Sequence, residues 1–388
     1  MSQSPYKTKI TDSKISPYLN NYGQIIVNEK IDKEKLKEYS EKLKKFLINT
    51  KNQYDENFKK IILNEDLQSE FNYIELFRAL KMTDLERSLS FLEFRYRFGL
   101  SSKNKINLTY PPYLLMEPVS ACNFRCPMCF QIDRSFTKKP FMGVMDWDLF
   151  KKVVDEANEI GTGAITLASR GEPTMHPKIG EMLKYISMKK NIFEIKLNSN
   201  GSFLTEKICN EIFDANLSTM VISADHYEKK QFEELRKNSK FEKIIENVKM
   251  LYEVRNSNFR NSMTEIRVSG VDYYKNLDRD KFREFWKPLC DNVSVASAVE
   301  RWDTYNNEPE KDNLSACSFL WDRMYVWFDG KCNPCDADYK SYLSYGNVKT
   351  DSLANVWNSL KINNLRKKHL SKLRGDIVPC DRCGLDFH

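Results

Sequence analysis

Three cysteines crowd the stretch SACNFRCPMCFQ: Cys122, Cys126 and Cys129. Thiols that close together hold a metal centre or react. A structural zinc ion wants four ligands. A cubane iron–sulfur cluster also has four iron corners, so three cysteines leave one iron open to bind something else. A second set, Cys317, Cys332, Cys335, Cys380 and Cys383, falls within the last 72 residues. Cys209 and Cys290 lie in helical patterns and read as core residues.

These cysteines need a scaffold, and the pattern from Tyr113 onward supplies one. Short apolar runs (YLLMEPV, AITLAS, FEIKLNS, TMVISA, TEIRVSGV, VSVASAV) alternate with amphipathic stretches such as DWDLFKKVVDEANEI and FEKIIENVKMLYEVRN. Strand–helix alternation implies a parallel sheet with helices outside. Six repeats are too few for a closed eight-stranded barrel, so the expectation is an α/β fold, a partial (β/α)6 barrel over residues 109–308. The cysteine loop follows its first strand, at the strand end where catalytic groups of such folds sit. Residues 1–108 read as a helical region, with helical spacing in IDKEKLKEYSEKLKKFL and NYIELFRALKMTDLERSLSFLEFRYRF, behind a polar and loose first twenty residues. Residues 309–388 read as a small domain. It holds a hairpin turning at Asp329-Gly330, a helix starting near Ser352 and the closing PCDRCGLDFH.

Composition narrows the class. The net charge of +7 is a small excess of 61 basic over 54 acidic residues, and no basic–aromatic pattern points to nucleic acid. No apolar run is long enough to span a membrane, and MSQSPYKTKITDSK lacks the core of a signal peptide. A cytoplasmic location is expected. In that reducing compartment ten cysteines point to metal or redox work rather than to disulfides.

The C-x3-C-x2-C spacing after the first strand resembles the radical S-adenosylmethionine (radical SAM) superfamily. The resemblance implies a [4Fe–4S] cluster on Cys122, Cys126 and Cys129, with SAM chelated at the open iron. Reductive cleavage of SAM there gives a 5′-deoxyadenosyl radical that takes a hydrogen atom from the substrate. SRGEPTMHP resembles the family's Gly-Gly-Glu-Pro segment: Gly171, Glu172 and Pro173 match, with Glu172 toward the SAM ammonium. Arg170 stands in the first glycine position and is read as facing the substrate. Asn198 and Asn200 offer polar groups at the third strand's mouth; Ser223 and Arg236 match positions that contact the SAM carboxylate. Phe124 and Met128 lie inside the cysteine motif, Met128 where the family often has an aromatic residue near the adenine.

The tail resembles the SPASM/twitch extension of radical SAM enzymes. Cys317, Asp329-Gly330, Pro334-Cys335, Gly346-Asn347, Leu365-Arg366 and Cys380 with Cys383 occur in its order. The resemblance implies a second, fully ligated [4Fe–4S] cluster on Cys317, Cys335, Cys380 and Cys383, with Cys332 spare or serving as a hydrogen-atom donor. The segments ASRGEPTMHP, ERWDTYNN and YVWFDGKCNPCDADYKS resemble members associated with bacterial surface-glycan pathways. They imply a sugar or nucleotide-sugar substrate, dehydrogenated or epimerised, with electrons from an external donor such as flavodoxin or ferredoxin. Glu300, Arg301, Trp302, Asp303 and Tyr305 follow the sixth strand and suit a polyhydroxylated ligand, Arg301 being the candidate catalytic group. The alternative is a peptide- or protein-modifying enzyme.

Overall fold

The computed structural model describes residues 33–64, 67–82, 84–298, 303–309 and 315–384. The polar first twenty residues and Glu300–Trp302 therefore lie outside the described residues.

The chain begins with helices α1 (Lys33–Asn49), α2 (Glu56–Leu63), α3 (Leu67–Glu70), α4 (Tyr73–Lys81) and α5 (Leu85–Asn104). Their starts are written in the sequence. Asp55 accepts from the amides of Asn57 and Phe58, and Asn72 with Glu75 forms a reciprocal capping box. The helices enclose their own core, in which Leu43, Phe58, Leu89, Phe91 and Leu92 have no exposed surface. Each such side chain contributes roughly 1.5–3 kcal/mol.

The barrel follows: β1 (Tyr113–Met116), α6 (Trp147–Ile160), β2 (Ala164–Leu167), α7 (Ile179–Ser187), β3 (Glu194–Ser199), α8 (Glu206–Asp214), β4 (Thr219–Ser223), α9 (Lys229–Leu235), α10 (Phe241–Asn258), β5 (Glu265–Asp272), α11 (Arg279–Trp286) and β6 (Asn292–Ser297). Neighbouring strands from β1 to β6 pair in parallel. The fold is the expected open α/β barrel. The tail adds α12 (Phe319–Asp322), β7 (Met324–Val326), β8 (Lys331–Asn333), β9 (Gly346–Asn347), α13 (Leu353–Trp357) and α14 (Leu360–Leu370).

Two features differ from the sequence reading. The hairpin is not a separate sheet: β7 pairs in parallel with β1, so the order is β6-β5-β4-β3-β2-β1-β7-β8-β9. An open edge exposes unpaired backbone groups, and β7 occupies that of β1. The expected single tail helix is also split. Trp357 donates through Nε1 to Leu108 O at 2.9 Å, and Asn358 through Nδ2 to Thr109 O at 2.7 Å. Those bonds tie the break between α13 and α14 to the segment leading into β1.

The helical region closes the end of the barrel opposite the cysteine loop. Its core takes in Ala164 and packs against Tyr113 and Phe193, all at or beside strand starts. A methyl group on Gly163 would lie 2.2 Å from the Phe94 ring, so glycine is what lets α5 reach the barrel floor. Arg78 and Arg95 reach Glu194 at 2.9 and 3.3 Å. Among the described residues no helix is long and apolar enough to cross a membrane.

Candidate active site

Cys122, Cys126 and Cys129 lie on the loop between β1 and α6. Arg125 shapes it, donating to Cys122 O at 2.6 Å and Phe124 O at 2.7 Å, while its own amide donates to Lys237 O. Phe124 is buried beneath the loop and Met128 packs against the same core. Burial pushes the Cys122 thiol up to about 11 and that of Cys129 to about 12. Each also feels the charge of Cys126, and Cys129 that of Cys122, so the three thiols converge. Thiols this costly to ionise in an apolar setting fit a cationic centre that takes up their charge.

The tail repeats the pattern with four. Cys335 feels Cys380 and Cys383; Cys317 feels Cys383; Cys380 feels Cys317 and Cys383. Arg374, buried, gathers this loop by donating to Ser315 O, Cys380 O and Cys383 O. Cys332 is elsewhere. It points into the hydrophobic core from β8 with no exposed surface. That placement removes it from the hydrogen-donor role, because a donor must touch the substrate. Among the described residues no three Cys, His, Asp or Glu side chains close around a single metal ion.

Between strand ends and cysteine loop the sequence-predicted groups meet. Gly171 lies flat on the loop: a methyl group there would sit 2.1 Å from Val119 O and 2.5 Å from Ala121 O. The next amide, of Glu172, donates to Ala121 O at 2.9 Å. Glu172 is buried, and burial raises its carboxyl pKa. Its Oε1 caps the short turn at Pro173 and accepts from Ser199 Oγ at 2.8 Å; Oε2 accepts from the Asn200 amide at 2.7 Å. A carboxylate oxygen has room for about two donors, so Oε2 can take one more, as an ammonium would supply. Asn198 carries a buried Oδ1 with no hydrogen-bond partner, an acceptor that fits a ligand donor. Ser223 ends β4, half-buried. Arg236 pairs with buried Asp225 at 2.5 Å and its charge favours the Cys126 thiolate.

Arg170 is placed differently from the expectation that it faces substrate. It forms a fork with Glu117, Nε to Oε2 at 2.5 Å and Nη2 to Oε1 at 2.6 Å, and donates to Tyr339 O at 2.8 Å. Its guanidinium stacks over Trp327 at 4.3 Å. All its reach goes to joining barrel and tail. Arg301 lies outside the described residues. Past it, Thr304 donates to Ala337 O and Tyr305 donates to Asp338 Oδ1, packing this linker onto the tail.

The radical SAM superfamily matches over residues 116–269, and the SPASM iron–sulfur cluster-binding domain over residues 317–384. The chain carries a radical SAM domain followed by a SPASM domain. The radical SAM segment holds the three-cysteine set, the Gly-Glu-Pro turn and Arg236; the SPASM segment holds the four-cysteine set. Over 114 residues the chain is 33% identical to the tungsten-containing aldehyde ferredoxin oxidoreductase cofactor-modifying protein of Pyrococcus furiosus, covering 29% of this chain and 30% of that protein. It is 28% identical over 174 residues to the GTP 3′,8-cyclase of Tolumonas auensis, covering 45% and 48%. The chain thus spans about half or less of the curated relatives it matches. Streptococcus suis SuiB bound to S-adenosylmethionine shares the fold, with TM-score 0.52, 16% identity, and 82% of this chain and 85% of that one covered.

A radical SAM domain uses a [4Fe–4S] cluster and SAM to generate a hydrogen-abstracting radical, and a SPASM domain adds auxiliary iron–sulfur. The chain's part is to orient these and tune them. Asn200 donates to Asn123 Oδ1 at 2.9 Å and approaches Cys122 Sγ at 3.7 Å; the Phe124 amide approaches the same sulfur at 3.4 Å. Hydrogen bonds to cluster sulfurs stabilise the reduced, more negative state. Asn200→Ala is therefore expected to shift the first cluster's potential downward while leaving the second unchanged, as read by redox titration followed by electron paramagnetic resonance. An unchanged first potential would remove Asn200 from the tuning shell.

Sequence reading missed Glu117, Asp225, Asn200 as a neighbour of sulfur, and the barrel lumen. The lumen had a signal. Parallel strands covered on both faces read as continuous apolar runs. Here β3 and β5 alternate, with Lys196, Asn198, Arg267 and Ser269 half-buried between fully buried neighbours. Such alternation marks an inward face built for polar contents.

Proposed function

We propose that the protein abstracts hydrogen from a carbohydrate or nucleotide-sugar substrate in a cytoplasmic setting, with an external one-electron donor such as flavodoxin or ferredoxin, and that it dehydrogenates rather than epimerises. The observation carrying this reading is the lumen. Asn198, Ser223, Ser269 and Ser294 line strands at the mouth, with Ser294 and Ser269 hydroxyls 3.2 Å apart. Short hydroxyl and amide groups at fixed strand positions suit a small polyol, whose many hydroxyls each need a partner.

The direction of the reaction rests on the spare cysteines. Epimerisation must return a hydrogen atom from a donor beside the substrate. Cys209, Cys290 and Cys332 each have no exposed surface and sit in the apolar core. Dehydrogenation needs only an exit for the second electron, and the four-cysteine site offers one, with a proton leaving to solvent.

The test is a panel of sugars, nucleotide-sugars and peptides, assayed for substrate-dependent 5′-deoxyadenosine in deuterated water. A carbonyl product lighter by two hydrogens is expected from a sugar. A sugar product of unchanged composition carrying solvent deuterium would reverse the reaction assignment. Response to peptides alone would overturn the substrate class.

A further inference from the structure

Below the lumen the charges do not balance. Arg78, Arg95, Lys196, Arg267 and Arg323 face four carboxylates, those of Glu75, Glu194, Glu265 and Asp322. Each carboxylate already holds an arginine. Glu194 holds Arg78 and Arg95, and Glu75 holds Arg95 at 2.6 Å. Glu265 accepts from Arg267 at 2.9 Å, Asn292 at 3.0 Å and Thr219 at 3.2 Å. Asp322 pairs with Arg323 at 2.5 Å. Lys196 is left over, with no hydrogen bond or ion pair among the described residues. Burial and the nearby Arg267 and Arg323 lower its pKa, while Glu265 and Glu194 only partly offset them. Half-buried, its ammonium faces open space with no counter-charge bonded to it. It borders a cavity of about 170 Å³ at the barrel floor, walled by Phe94, Arg95 and Phe98 of α5, that also presents Tyr113, Thr166 and Thr219.

We propose that Lys196 is an anion anchor, binding a phosphate or carboxylate carried by the substrate. This rests on the reading that the lumen holds the substrate. Position supports it. Lys196 lies two residues before Asn198 on the same face of β3. At about 3.3 Å per residue that is roughly 7 Å below the unpartnered Asn198 Oδ1 at the mouth. A sugar ring with an acidic substituent spans such a distance, so its anion would reach Lys196 while a ring carbon lies at the mouth. The hydroxyls of Thr166 and Tyr113 share a hydrogen bond at 2.7 Å, which leaves one of their two protons for the same anion.

The experiment is calorimetric titration of the iron-loaded, SAM-bound protein with inorganic phosphate and, separately, with acetate. The wild type is expected to bind one of the two, and that one names the substrate's acidic group. Lys196→Met should weaken binding at least tenfold, and Lys196→Arg, which keeps the charge, should restore most of it. Removing an unpaired buried charge is not expected to unfold the protein, which a melting curve checks. As an independent readout, the bound anion should shield Lys196 from acetylation, scored by mass spectrometry. The proposal is overturned if Lys196→Met binds the anion as the wild type does, or if the wild type binds neither. No sugar enters the titration, so a failed sugar screen leaves its outcome standing. A sugar-positive screen with a failed titration removes the anchor alone.

Discussion

Replacing Cys122, Cys126 and Cys129 together with alanine is expected to lower the iron content of the anaerobically reconstituted protein from about eight to about four per chain. SAM cleavage should fall below detection. The two cysteine sets are independent by construction. The first is held by Arg125 and the Gly-Glu-Pro turn, the second by Arg374 across Ser315, Cys380 and Cys383. Losing the first therefore leaves the second to form. The reverse variant, Cys380→Ala with Cys383→Ala, should also halve the iron but keep the first cluster's signal. Iron assay, electron paramagnetic resonance and chromatography of 5′-deoxyadenosine give the readouts. Residual SAM cleavage in the triple variant would mean that the open iron is held elsewhere, and zinc in place of iron in the wild type would sink both assignments.

Arg170→Met is expected to destabilise the protein by about 3–5 kcal/mol, because it strands the Glu117 carboxylate in the core. Glu117 has no exposed side-chain surface and Arg170 only 2%. The substitution also removes the donor to Tyr339 O and the cation over Trp327, the contacts that pin the tail to the mouth of β1. The melting temperature should drop by roughly 4–6 °C. Glu117→Leu on the same background should recover much of it, since an apolar pair leaves no unpaired charge. A variant with unchanged melting temperature but lost turnover would return Arg170 to the substrate role that its place in the Gly-Glu-Pro segment first suggested.

That reversal marks where reading the sequence stops. The arginine's position beside Gly171 was legible, but its direction was not. Arg170 and Glu117 are 53 residues apart, and Tyr339 is 169 residues beyond Arg170. Only folding brings β1, the second strand's loop and the tail together. The same holds for Cys332. Its spacing from Cys335 looks like chemistry, yet β8 turns its thiol into the core. Ser223 and Asn198 carry no local signal beyond a polar residue near a strand end.

What the sequence determined by itself is local and periodic. The strand–helix alternation, the caps at Asp55, Asn72 and Asp146, and the three- and four-cysteine sets follow from patterns within a few residues. So does the glycine at 171, which only a close backbone approach requires. What the tertiary structure decided is non-local. It placed β7 on the open edge of β1, set the helical region beneath the barrel, and gave Glu75, Glu194, Glu265 and Asp322 to arginines, so that Lys196 has no carboxylate partner among the described residues. Charge pairing inside a barrel depends on the register of strands far apart in the chain. A shift of one residue would turn Lys196 outward, and no pattern in β3 alone records which arginines already hold its neighbours.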